Sequence, residues 1–144
     1  MKSLKQLLWV LLIAVVSILL WEGVHAFTPE QMNTRGLAAC KAAFAANQAT
    51  LNDARPALIA LAGTTDEAQP INGKLYAYVR GSSADACMIE VPVMNIGDFY
   101  QNTYAFGLEW ATDADPSRLS EKNPHLILVS LEDGLFAYAN SRPQ

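Results

Sequence analysis

Catalytic chemistry is thinly provided for in this sequence. Of 144 residues, two are histidines and two are cysteines. His25 belongs to an apolar N-terminal segment, which leaves His125 as the one imidazole in the remainder of the chain. Zinc sites of the common kinds use three or four Cys, His or carboxylate ligands, so a zinc enzyme is not expected. A Ser-His-Asp or Cys-His nucleophile would have to recruit His125, and no G-x-S-x-G setting accompanies it. The chain has no phosphate-binding glycine loop, no dinucleotide fingerprint and no C-x-x-C pair. In "TDADPS" the residues Asp113, Asp115 and Ser117 imitate the start of a calcium loop. Arg118 and Pro124 then occupy the places of the required Gly and bidentate Glu, so the segment reads as a turn. No metal site and no cofactor are expected.

Basic side chains are also few. The chain has 10 Lys plus Arg against 14 Asp plus Glu. Lys2, Lys5 and Glu22 fall in the first 26 residues, which leaves 8 basic and 13 acidic side chains beyond them, a formal charge of −5. Nucleic acid and anionic lipid are poor partners for such a surface.

One long hydrophobic run is present. Leu7–Trp21 contains Ser17 as its single polar residue, with Lys2 and Lys5 ahead of it and Val24 and Ala26 at the small-residue positions of a signal-peptidase site. Fifteen residues suit a signal h-region and fall short of the roughly 20 that span a bilayer. Residues 1–26 are therefore read as a signal peptide and 27–144 as a single domain, periplasmic or secreted. The alternative is an anchor retained in the inner membrane with the domain outside the cytoplasm. In an oxidising compartment the pair Cys40 and Cys87 is expected to form a disulfide.

In "FTPEQM" the devices that start a helix occur together. Thr28 is a candidate N-cap, Pro29 suits the first helical position, Gln31 completes a capping box, and Phe27 with Met32 forms a hydrophobic staple. Leu37, Cys40, Phe44 and Leu51 then recur on one side. A second, shorter helix is expected from a cap at Asn52 or Asp53, with Pro56 in its first turn and a stop at Gly63. Beyond Lys74 the period becomes strand-like, at 75–80, 87–94, 103–112, 126–132 and 135–140. Asp133 and Gly134 form a two-residue hairpin turn, a register that pairs Val129 with Tyr138 and Leu131 with Phe136. Pro92 cannot donate to a ladder and calls for an edge, a bulge or a strand end. Gly107 marks a bend in the third strand.

The fold class that follows is α+β, with N-terminal helices packed on one face of a curled antiparallel sheet of four to five strands. Cys87, Ile89, Val91 and Val93 would face the helices. Tyr76, Tyr78, Arg80, Met88, Glu90 and Met94 would then share the opposite face, a composition found at protein interfaces. Cover for that face within the chain would come from the loop at Phe99 and Tyr100 or from the tail beyond Asn140.

These features point first to an exported cell-envelope binding protein of inhibitor, immunity or secretion and conjugation accessory type, acting by contact with another envelope protein. A second reading is a small carbohydrate-active enzyme or glycan binder in which Glu90 and Glu109 divide acid and base roles, with His125 as a further candidate. A third is a carrier with an apolar cavity between Phe106, Trp110 and the helix. The localisation reading predicts a mature chain that starts at Phe27. Intact-mass measurement of the protein from the envelope fraction checks this, and the mass of the unprocessed chain would establish the anchored form instead.

Overall fold

The computed structural model describes residues 2–25, 28–97, 102–112, 123 and 125–143. The turn expected at 113–124, the staple residue Phe27 and the covering loop at Phe99 and Tyr100 lie outside the described residues, apart from Asn123. Helices α1 (Lys2–His25) and α2 (Pro29–Ile59) precede six strands. These are β1 (Gln69–Pro70), β2 (Tyr76–Ser83), β3 (Ala86–Gly97), β4 (Asn102–Ala111), β5 (Leu126–Glu132) and β6 (Leu135–Pro143). The chain divides into two compact units, 1–33 and 34–144.

In the first unit, the apolar side chains of α1 between Leu7 and Leu20 that are exposed range from 46% to 66% accessible. Nothing among the described residues is long and apolar enough to cross a membrane as a helix. The capping box forms as the sequence predicts. Thr28 N–H donates to Gln31 Oε1 and Gln31 N–H donates to Thr28 Oγ1, both at 3.3 Å.

In the second unit, α2 does not break where a second helix was expected. It runs through Pro56, which removes one N–H from the helical ladder at a cost of about 3 kcal/mol. The reason lies in the buried stripe. Cys40, Leu51 and Leu58 are all buried, and their spacing keeps one side of an unbroken helix on the core. Fully burying a Leu is worth about 1.5–3 kcal/mol, so two such residues outweigh one lost bond. Gly63, with φ of 75°, closes the end of the helical segment as the sequence suggested, and Thr64 N–H bonds back to Leu61 O at 3.0 Å.

The strands form one open antiparallel sheet in the order β1-β2-β3-β4-β6-β5. Six strands exceed the expected four to five because Gln69–Pro70, read as loop from sequence, adds a short edge beside β2. Ala77, Val79, Ile89, Val91, Phe106, Leu108, Trp110, Leu135, Ala137 and Ala139 make the buried layer beneath α2. A side chain at Gly36 would collide with the Phe106 ring, so α2 sits directly on β4 at this point. Phe44 meets Trp110 edge to face at 6.5 Å, and the Arg55 guanidinium lies over Trp110 at 5.7 Å. The Trp110, Phe106 and helix surfaces named for a carrier cavity thus pack against one another.

One register shift departs from the sequence reading and another agrees with it. The β5–β6 turn does fall at Asp133 and Gly134, but a shift between Ser130 and Glu132 pairs Val129 with Ala137 and Leu128 with Tyr138. The pairing expected for an unbulged hairpin therefore slips by one residue, which turns Val129 to the helix side. Another shift lies between Pro92 and Met94, the bulge that Pro92 called for.

The expected disulfide is not formed. Cys40 and Cys87 are both free thiols and both buried. Cys40 lies in the stripe of α2, where burial pushes its thiol pKa up to about 11. Cys87 starts the β3 ladder and directs Sγ to Ala84 O at 3.7 Å. Its backbone is clamped to the end of β4, with Cys87 N–H donating to Thr112 Oγ1 at 2.9 Å and Thr112 N–H donating to Cys87 O at 3.1 Å. Titration with a thiol reagent under non-reducing conditions is expected to find almost no reactive thiol in the native chain and two after unfolding. No thiol after unfolding would restore the disulfide.

Candidate functional site

The face of the sheet turned away from the α2-facing layer carries the densest group of polar and aromatic side chains. Its construction begins with a missing side chain. Gly107 on β4 is paired with Pro92 on one side and Tyr138 on the other. A Cβ at Gly107 would come within 2.6 Å of the Tyr138 ring and 2.7 Å of its hydroxyl. Tyr138 therefore lies across β4 through the space that glycine leaves. At the far side its hydroxyl donates to Glu90 Oε1 on β3 at 2.8 Å. Burial, the Glu90 charge and this hydrogen bond all hold the phenol pKa far above its ordinary value, so Tyr138 remains a donor.

The bulge after Pro92 sets the second wall. By skipping one residue it pairs Asn95 with Ala105, on the side of Glu90, and Met94 with Phe106, on the helix side. Asn95 thereby takes the position expected for Met94. This removes Met94 from the candidate interface, because strand alternation no longer holds across a bulge.

The third wall belongs to β2. Tyr78 is directly opposite Glu90, and Arg80 directly opposite Met88. The Arg80 guanidinium stacks over the Tyr78 ring at 5.1 Å. Such a contact contributes about 0.5–1 kcal/mol at an exposed site. Tyr78, Arg80, Glu90, Pro92, Asn95, Ala105 and Tyr138 together line a cleft of about 350 Å³. A second cleft of about 360 Å³, lined by Ala68, Lys74, Tyr76, Tyr78 and Pro92, adjoins it and shares two of its residues. Tyr76, 50% exposed, forms an open aromatic surface there. Each volume is in the range of small ligand sites.

Glu109 lies beside this cleft. It is directly opposite Glu90 across the β3–β4 ladder and only 6% exposed. Burial, followed by the charge on Glu90, pushes its pKa up to about 7. Like charges directly opposite are destabilising in a sheet, and a protonated Glu109 relieves that repulsion. The structure thus brings Tyr76, Tyr78, Arg80, Glu90 and Glu109 to one region, with Met88 half-buried on the same face. His125 does not join them. It is exposed at the entrance to β5, and β4 and β6 separate that strand from β3. Among the described residues no group of His, Cys, Asp and Glu is arranged to hold a metal ion.

Sequence reasoning missed Tyr138 and Asn95. The one available signal was Gly107, since a glycine inside a strand often marks close approach of another group. Asn95 lies beyond the bulge on β3 that shifts the simple alternation, and Tyr138 reaches the site from β6 across β4.

No protein family, curated protein or solved structure matches this chain significantly.

A carboxyl pKa higher in the folded state than in the unfolded chain means that the folded state binds more protons between the two values. The Glu109 contribution to stability is therefore full below pH 4.5 and is lost as pH rises toward about 7. The ionisation costs about 3 kcal/mol above that window. Glu109→Gln is expected to flatten this fall, and urea unfolding of both forms at pH 5 and pH 8 measures it. An equally steep fall in the variant would remove Glu109 as its source.

Proposed function

We propose that this chain is an exported binding protein of the cell envelope that engages another envelope protein through the cleft-bearing face of its sheet. The observation that carries the reading is the groove formed by the two adjoining clefts, with Tyr78 and Pro92 common to both. Aromatic and arginine side chains gain most from burial against a partner, and Tyr76, Tyr78 and Arg80 lie there at least half-open to solvent or only partly covered. The N-terminal run and the small residues at 24 and 26 support export, either as a free periplasmic domain or as one held by its leader.

The glycan reading has one observation in its favour, the paired carboxylates Glu90 and Glu109 with one pKa raised to about 7. Its weakness is access, because Glu109 is buried and does not line either cleft. Binding therefore ranks above hydrolysis.

A photo-cross-linking residue at position 76 in the full-length chain, expressed in cells, is expected to give one discrete adduct. The same residue at position 48, exposed on α2, should give none of that size. Tyr78→Glu combined with Met88→Glu should abolish the adduct while leaving the circular dichroism unchanged. An adduct that persists in the folded double variant would take the partner away from this face.

A further inference from the structure

We infer that the groove receives an extended segment of the partner protein, with a Lys or Arg side chain of that segment seated between Glu90 and Tyr78. The inference rests on the binding reading above and deepens it. Its first support is the charge arrangement at the inner end of the groove. Glu90 and Glu109 face each other across two strands, and the hydrogen bond described at Glu90 comes from a neutral donor, Tyr138. Arg80, the cation that lines the same cleft, makes its described contact with the Tyr78 ring at 5.1 Å and is exposed at the rim. Among the described residues no Lys or Arg is paired with Glu90, and a partner can supply one.

The shape of the groove supports an extended occupant. Two clefts of similar volume adjoin across Tyr78 and Pro92. In an extended chain, side chains two residues apart leave the same face and lie about 6.5 Å from one another. Neighbouring pockets suit such a pair, with the basic residue in the acidic cleft and its neighbour against Tyr76 and Lys74. The stacking of Arg80 on Tyr78 shows that the aromatic wall accepts a guanidinium. The formal −5 charge of residues 27–144 favours encounter with a basic segment.

Among the described residues, the titratable and charged groups facing Glu109 are Glu90 from β3 and Tyr138 from β6, with Tyr78 and Arg80 of β2 beyond Glu90. A cation placed at Glu90 favours ionised Glu109, so binding near pH 7 should release a proton. Affinity for a basic segment should then rise severalfold between pH 6 and pH 8.

The test uses the full chain in detergent micelles with capped pentapeptides as probes. Ac-Val-Val-Lys-Val-Val-NH2 is expected to shift the NMR signals of Glu90, Glu109 and Tyr138, and Ac-Val-Val-Gln-Val-Val-NH2 to bind at least tenfold more weakly. Glu90→Gln should remove the preference for lysine. Calorimetry in two buffers of different ionisation enthalpy should show proton release at pH 7. Equal affinity for the two peptides, or an unaltered preference in Glu90→Gln, overturns the basic-segment inference. The cross-link at position 76 separates this failure from failure of the wider reading. An adduct that survives Glu90→Gln retains a partner on this face while rejecting the basic side chain, and loss of adduct at position 76 in the unaltered chain rejects both.

Discussion

The Tyr138 hydroxyl reaches Glu90 because the residue it crosses has no side chain. This contact joins β6 to β3 over the top of β4, where ladder hydrogen bonds link only adjacent strands. Any Cβ at position 107 would take the space now held by the phenol ring and would also meet Val91 O at 2.6 Å. The floor of the cleft and the hydrogen bond that holds the Glu90 carboxylate follow from that one glycine on β4. The opposite side of the same strand obeys a similar rule. There Gly36 on α2 leaves room for Phe106, so β4 is approached closely on both faces at positions only one residue apart.

The acid pair is costly for a small domain. Net stabilities of about 5–15 kcal/mol are usual, and a buried carboxyl whose pKa is pushed up to about 7 takes a substantial part of that range near neutrality. A glutamine at position 109 would keep the shape without the charge. The cost is easier to understand in a site that uses charge than in one that only packs, because a buried carboxyl beside a second carboxylate adds nothing to core cohesion. The same reasoning separates Glu109 from Glu132, which is exposed at a strand end and has a solvated surface to occupy.

Much of the fold was legible because its signals were local. The Thr28 to Gln31 box, the turn at Asp133 and Gly134, and the strand at 126–132 depend on neighbouring residues, and each appears where those residues put it. The α+β class followed from a change of hydrophobic period after Lys74. The errors came from competition between local and tertiary terms. Asn52, Asp53 and Pro56 make a sound local case for a new helix start, but the buried stripe ending at Leu58 favours one continuous helix. Pro92 marks the bulge at Val93, but only the register on β4 shows that the bulge exchanges the faces of Met94 and Asn95. The bulge near Leu131 had no local mark at all. Half of the site was visible as alternation along β2 and the first part of β3. The other half, Asn95 and Tyr138, required knowing which strand lies beside which.

The free cysteines show how the fold governs thiol reactivity. A pair of thiols in an exported chain invites a bridge, but oxidation requires two sulfurs that can meet and a thiolate that can attack. Cys40 is wholly buried in the helix stripe with its pKa near 11, so almost none of it is ionised at neutral pH. Cys87 is tied by its neighbours on both sides of the strand start, through Ala84 O and Thr112. Each sulfur acts here as a small apolar group, and both are shielded by the same core that holds α2 on the sheet. Burial alone can therefore keep them reduced, whatever the redox state of the surroundings. The proposal of export therefore draws on the N-terminal segment and not on the cysteines.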